Sequence, residues 1–245
     1  MKFALVDGEK VEATKGTKGI CQFCGSDLTA KCGEVKTHHW AHKSNINCDS
    51  WWEKEGEWHR VWKNEFPVEW QEVVHRGKDG EKHIADVKTK NGWVLEFQYS
   101  YLKPEERRAR NIFYDKLIWI VNGTRRPTDI IQVQKILNEG SVIIIDNPIT
   151  IKLHYPDDCR LFKEWGDSEN IVLFDFIEGA KGEQDRLCFL YPRMASGNMY
   201  LSFIKFKEFV EMSNGDGFEK LFRDVILPMH KEILPLYEKN QRYRR

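Results

Sequence analysis

His83-Ile84-Ala85-Asp86-Val87, followed nine residues after Val87 by Glu96-Phe97-Gln98, decides how this chain is read. An aspartate between apolar residues, an Asn91-Gly92 turn and an alternating polar segment describe a β-hairpin. Alternate residues of a strand share a face, so Glu96 and Gln98 point one way and Leu95, Phe97 and Tyr99 the other. Carboxylates on two neighbouring strands can share a hard cation such as magnesium. Asp86 and Glu96 are therefore expected to converge on one ion, an arrangement suited to phosphodiester hydrolysis.

Upstream of the hairpin, Trp51, Trp52, Glu55, Trp58, His59, Trp62 and Lys63 recur at three- and four-residue spacing. This predicts a helix starting at Asp49 or Ser50, with Glu53 completing a capping box and Pro67 marking the end. Strands are predicted over 68–76, 83–89 and 93–100, then a helix from Pro104 through Tyr114 and an apolar strand over 117–121. Helix, three strands, helix, strand makes a mixed α/β core over residues 49–124. The region 125–245 reads as an α+β extension. It has helices over 128–138, 161–165, 206–212 and 217–240, the last broken at Leu227-Pro228, and strands over 142–146, 171–177, 187–191 and 199–203. The apolar run Ile171-Val172-Leu173-Phe174 and the final helix serve either as core or as a surface for a protein partner.

The 245 residues suffice for one large domain or two modest ones, and an aromatic content of 13% argues against a disordered chain. No apolar run approaches the roughly 18 residues of a membrane span. Residues 1–18 lack a secretory apolar core and read as two short strands around Asp7-Gly8, so a cytoplasmic location without membrane association is expected. Lys plus Arg equals Asp plus Glu at 38 each, so bulk charge does not announce a nucleic-acid coat protein but leaves room for a local basic surface. Such runs are Arg107, Arg108 and Arg110, then Arg125-Arg126, then Arg242, Arg244 and Arg245, although solvated surface is their commoner fate.

Residues 1–48 hold four of the six cysteines and three of the eight histidines, with little to form a core alone. Cys21-x-x-Cys24 followed by Gly25 has the form of a zinc knuckle. A second pair must come from Cys32, His38, His39, His42 or Cys48. The preferred set is Cys21, Cys24, His42 and Cys48, with His39 as the alternative, because an extended His39-Trp40-Ala41-His42 segment puts its two histidines on opposite faces. Four protein ligands close a zinc site, so its role is structural. Cys159 and Cys188 have no ligand-spaced neighbours and are expected in the core.

Glu55, His59 and Lys63 lie four apart and share one helical stripe. Over the strands, that stripe would let His59 and Lys63 supply the cation or proton donor that the neutral amide of Gln98 lacks. Glu57 lies nearer the opposite side as a weaker further ligand. Each residue alone has a plainer reading: a half-buried histidine, an alternating strand glutamate, tryptophans packed as core. Their joint placement carries the functional one.

In order and combination, these motifs resemble the CoiA-like competence proteins, a branch of the PD-(D/E)xK nuclease superfamily. The matching residues are Cys21-x-x-Cys24, Lys31-x-Gly33, His39-Trp40-Ala41-His42, Glu57-x-His59 with Lys63, Ala85-Asp86-Val87, Glu96-Phe97-Gln98-x-Ser100 and Arg110-x-x-x-Tyr114. The resemblance covers about residues 20–123. It implies a restriction-endonuclease-like αβββαβ core behind the zinc-knuckle element, with Asp86 and Glu96 as magnesium or manganese ligands. Gln98 stands in for the superfamily's lysine, Glu57, His59 and Lys63 are the helix contribution, and Arg110 and Tyr114 are nucleic-acid contacts. Two departures are Cys32 inside Lys31-x-Gly33 and a basic residue, His83, three before Asp86. The implied function is a metal-dependent nuclease acting on DNA in competence, recombination or defence. The alternative is a non-catalytic DNA-binding or recombination-accessory protein that retains the fold.

Overall fold

A computed structural model describes residues 1–43, 48–146, 149–168, 170–177, 181–182, 185–191 and 198–226. The part of the expected 217–240 helix beyond residue 226, its Leu227-Pro228 break, and Arg242, Arg244 and Arg245 lie outside the described residues. The chain is mixed α/β and divides into two compact units, Met1–Phe97 and Gln98–Arg245.

The first unit begins with β1 (Phe3–Val6), β2 (Glu9–Glu12), β3 (Lys18–Ile20), β4 (Asp27–Lys31) and β5 (His39–His42), an antiparallel sheet in the order β2-β1-β3-β4-β5. The β1–β2 turn at Asp7-Gly8 takes φ of 51° and 87°, the left-handed pair that matches strand twist in a two-residue hairpin. Met1, Ala4, Ala13, Cys21, Leu28 and Trp40 form a small apolar cluster, so this element has a core that its composition did not announce. Gly19 is part of that packing, since a Cβ there would lie 2.7 Å from the Ala4 Cβ.

The first helix, α1 (Glu57–Asn64), is shorter than its periodicity predicted, and Asp49 does not cap it. The reason is local competition. The Asp49 carboxylate accepts the Trp51 amide at 3.0 Å and the Ile84 amide at 2.7 Å, and pairs with His83 Nδ1 at 2.7 Å, which holds the segment in turns. Trp51 then stacks on the His83 ring at 3.3 Å. Gly56 occupies the cap position instead. Trp62 is fully buried and stacks on Phe97 at 5.4 Å, with Trp58 edge-on to the same ring, so these tryptophans are core. A single 3-10 turn over Val68–Trp70 replaces the first third of the predicted strand. Next come β6 (Gln71–Arg76), β7 (Lys82–Lys88) and β8 (Val94–Gln98), antiparallel in that order, with Gln71 opposite Val87 and Val87 opposite Leu95.

The second unit continues with α2 (Pro104–Phe113), β9 (Leu117–Asn122), α3 (Pro127–Glu139), β10 (Ser141–Asp146), β11 (Ile149–Leu153) and α4 (Arg160–Trp165). It is completed by β12 (Ile171–Asp175), β13 (Arg186–Leu190), β14 (Met199–Lys205), α5 (Phe206–Met212) and α6 (Gly217–Lys220). Its strands run β9-β12-β13-β14-β11-β10, with β9 and β12 parallel and the other neighbours antiparallel. β9 and β12 are buried at every residue, as continuous apolar runs require when both faces are covered. The Ile171 run is therefore core and not a free surface. The strand β11 was not expected from the sequence: five residues of mixed polarity give too short a pattern to recognise. Cys159 and Cys188 are buried, and burial pushes the Cys188 thiol up to about 12. No helix among the described residues is long and apolar enough to cross a membrane.

Candidate zinc centre and lysine-centred acidic cluster

The turn between β3 and β4 is a closed knuckle. The Gly25 amide donates to the Cys21 carbonyl and the Cys21 amide to the Ser26 carbonyl, each at 2.9 Å, with Gly25 at a left-handed φ of 75°. The knuckle presents Cys21 and Cys24, while β5 delivers His42 and the chain returns with Cys48. The ligand atoms of all four lie within 4.8 Å of one another. The Cys21 and Cys48 sulfurs are 3.8 Å apart, and Cys24 Sγ is 3.3 Å from His42 Nε2. Four-coordinate zinc with Zn–S of about 2.3 Å and Zn–N of about 2.0 Å requires S···S and S···N edges of roughly 3.8 and 3.5 Å. A disulfide would need about 2.05 Å, so the spacing fits a shared cation and not an S–S bond.

Electrostatics points the same way. Burial opposes ionisation of Cys24, but hydrogen bonds involving Ser26, His42 and Cys21 outweigh it and bring the thiol down to about 6. Burial and the adjacent Cys21 push Cys48 up to about 12. Clustered thiolates repel, and a divalent cation is what lets all three ionise together. The set can thus hold zinc as a closed structural centre. His39 turns away, its Nδ1 lying 2.9 Å from the Thr37 carbonyl, and the Cys32 thiol donates to the Ala13 carbonyl at 3.4 Å.

The second feature centres on Lys63, in the last turn of α1 and only 4% exposed. Its ammonium lies 3.0 Å from Glu55 Oε1, 3.1 Å from Glu72 Oε1 and 3.0 Å from Asp86 Oδ1. Burial alone would favour neutral lysine, but attraction from Asp86, Glu72 and Glu55 prevails and holds the pKa well above its ordinary value. Glu72 also accepts the Lys2 amide at 2.8 Å and the Phe3 amide at 3.0 Å. Burial would raise its carboxyl, yet Lys63 and these amides bring it down to about 2. Glu72 adopts φ of 46°, an uncommon left-handed conformation for a residue with a side chain. Asp86 accepts the Phe97 amide on its other oxygen at 3.0 Å.

The structure brings Lys63 and Asp86 together, with Glu55 and Glu72 beside them. Glu96 is buried in β8, one residue past Leu95, the partner of Val87. Gln98 donates to the Ser100 carbonyl at 3.1 Å. His59 is buried with its ring edge-on to Trp58, and Glu57 is exposed in the first turn of α1. Arg110 is buried, paired with Glu106 and set over the Trp119 ring at 5.9 Å, and Tyr114 is buried against Phe113. Among the described residues, the convergent group of three or more metal-ligating donors is the Cys3His set, whereas the three carboxylates meet on Lys63.

Sequence reasoning gave Glu72 no role. The available signal was a polar pair, Gln71-Glu72, directly ahead of the apolar Val73-Val74. The two features are joined by direct bonds. Gln22, inside the knuckle, donates to the Glu72 carbonyl at 2.6 Å; Lys82 reaches the Phe23 carbonyl and lies over its ring; and Asp49, next to Cys48, grips β7 at His83 and Ile84.

Residues 5–50 match the model of the N-terminal domain of the competence protein CoiA. No curated protein and no solved structure matches the chain. The matched stretch runs from β1 through Cys48 and contains all four convergent donors. Over that stretch the chain is similar to the N-terminal domain of the competence protein CoiA.

Proposed function

We propose that the chain is a divalent-metal-dependent nuclease that hydrolyses phosphodiester bonds of DNA, in a pathway of competence, recombination or defence. The observation that carries this reading is the pairing of Lys63 with Asp86 at 3.0 Å. A nuclease site of this kind needs a cation beside its acidic residues, and Gln98 cannot supply one. Lys63 does so from α1, beside Asp86, whose strand β7 neighbours the strand of Glu96. The order of α1, three antiparallel strands, α2 and β9 supports the restriction-endonuclease-like reading, and the CoiA match supports the link to DNA. In this scheme Asp86 and Glu96 hold magnesium or manganese, which when bound polarises a phosphoryl oxygen and lowers the pKa of water. Lys63 offsets charge developing on the phosphoryl group, and the Gln98 amide orients it.

A cleavage panel tests this, crossing magnesium and manganese with single- and double-stranded DNA. Wild type is expected to cut, and Asp86→Ala and Glu96→Ala to bind without cutting. Intact DNA in every lane with wild type refutes the reading.

One observation favours the non-catalytic alternative, a DNA-binding or recombination-accessory protein. Lys63 already neutralises Asp86 and Glu72, and backbone amides occupy further carboxylate oxygens. Under that reading Asp86→Ala leaves every DNA-dependent property unchanged.

A further inference from the structure

The turn after β9 carries Arg125 and Arg126 into a network with Asp129 of α3 and Glu164 of α4. Arg126 Nε lies 2.8 Å from Asp129 Oδ2, Arg126 Nη1 lies 2.9 Å from Glu164 Oε1, and Arg160 Nε lies 2.8 Å from the same oxygen. Arg125 pairs with Glu164 Oε2. Three guanidiniums thus share two carboxylates. In the same unit, Arg107 pairs with Asp167 and Arg108 lies 3.8 Å from that carboxylate, two guanidiniums on one acid. Each cluster carries one positive charge in excess.

The excess is displayed outward. Asp129 is fully buried and Arg125 nearly so, whereas the Arg160 and Arg108 side chains are 62% and 64% exposed and Arg126 is 22% exposed. Burial lowers the pKa of Arg125, and repulsion from Arg126 and Arg160 adds to that against the pull of Glu164 and Asp129. The network is short of negative charge. Arg125 also donates to the Ser100 carbonyl at 2.5 Å, the same oxygen that accepts from Gln98.

We propose that Arg126 and Arg160 form a binding site for backbone phosphodiesters of nucleic acid next to the Gln98-Ser100 segment, with Arg108 as a further exposed guanidinium of the same unit. This rests on the reading of DNA as substrate and names the residues that would grip it outside the acidic cluster. A phosphodiester carries one negative charge over two oxygens, which matches both the single surplus charge of each cluster and the fork geometry of arginine. The grip is independent of base sequence.

The test measures binding of the full, zinc-loaded chain to unrelated single- and double-stranded oligonucleotides across a salt series, without magnesium or manganese. Arg126→Gln and Arg160→Gln are made singly and together, with polyglutamate as a competing anion. The double variant is expected to weaken binding to all sequences alike, by about ten-fold or more. It should also reduce the salt slope by roughly one per lost contact. Arg160→Gln alone, at an exposed position, should lower the slope with no change in melting temperature. Wild-type slopes in the variants, no binding by wild type, or polyglutamate competing as well as DNA would each overturn the proposal. Wild type that binds with the expected slope but cuts with neither metal refutes the nuclease reading and leaves this site standing.

Discussion

Replacing Lys63 with methionine removes the cation on which Glu55, Glu72 and Asp86 converge, while an unbranched side chain still fills its space. Glu72 gives one measure of the cost. Its carboxyl stands at about 2 against an ordinary 4.5, which at roughly 1.4 kcal/mol per pKa unit stabilises the folded chain by about 3 kcal/mol at neutral pH. The Lys2 and Phe3 amides share in that figure. A second measure is the cost of stripping one partner from a buried ionic group, about 3–5 kcal/mol. The two agree, so Lys63→Met should cost about 3–5 kcal/mol at pH 7, read as a fall in the urea midpoint at unchanged slope. The pH dependence is specific. Because the folded pKa of Glu72 is depressed, its contribution is complete above about 4.5 and is lost as pH falls toward about 2. Because that of Lys63 is raised, its share is complete below 10.5 and is lost only in stronger alkali. The gap between wild type and variant is therefore widest at mid-range pH and narrows in acid. Adding Glu72→Gln to Lys63→Met should recover part of the loss at pH 7, since one orphaned buried charge disappears. A variant as stable as wild type at pH 7, or a gap as wide at pH 3 as at pH 7, refutes this account of the cluster.

Two further outcomes follow from the N-terminal sheet. Metal analysis of the purified chain should find one zinc per molecule, lost in Cys48→Ser and His42→Ala but kept in Cys32→Ser and His39→Ala, whose side chains face elsewhere. Loss of zinc from His39→Ala would overturn the ligand assignment. Asp49→Ala removes a buried carboxylate that holds His83 and two backbone amides, and should lower stability by about 2–3 kcal/mol in urea unfolding with zinc content unchanged. An unaltered midpoint would show that the contact is dispensable.

The elements that sequence made legible are those with strong periodicity or unmistakable punctuation. The β7–β8 hairpin was readable from alternation around Asn91-Gly92, α2 from Pro104 at its first turn, and β9 from its unbroken apolar run. The helix predicted from Asp49 misled because its tryptophan spacing is helical while Asp49 is claimed by long-range bonds to His83 and Ile84 of β7 and Trp51 by stacking on His83. Periodicity reports which residues want burial, not which partner wins them. The cysteine knuckle was legible because ligand chemistry fixes spacing locally. The meeting of Glu55, Glu72 and Asp86 on Lys63 was legible only in part, since the unusual backbone of Glu72 arises from tertiary contacts and leaves no mark in the local pattern.

In a Cys-x-x-Cys loop the two middle positions are commonly treated as filler, but Gln22 and Phe23 have duties toward β6 and β7 that no ion performs. A knuckle transplanted here from an unrelated protein would load its metal and still leave the hairpin unbraced. The first 48 residues are therefore not an interchangeable cassette, and cutting them away would strip the amides and the side-chain clamp that keep Glu72 in its strained pose.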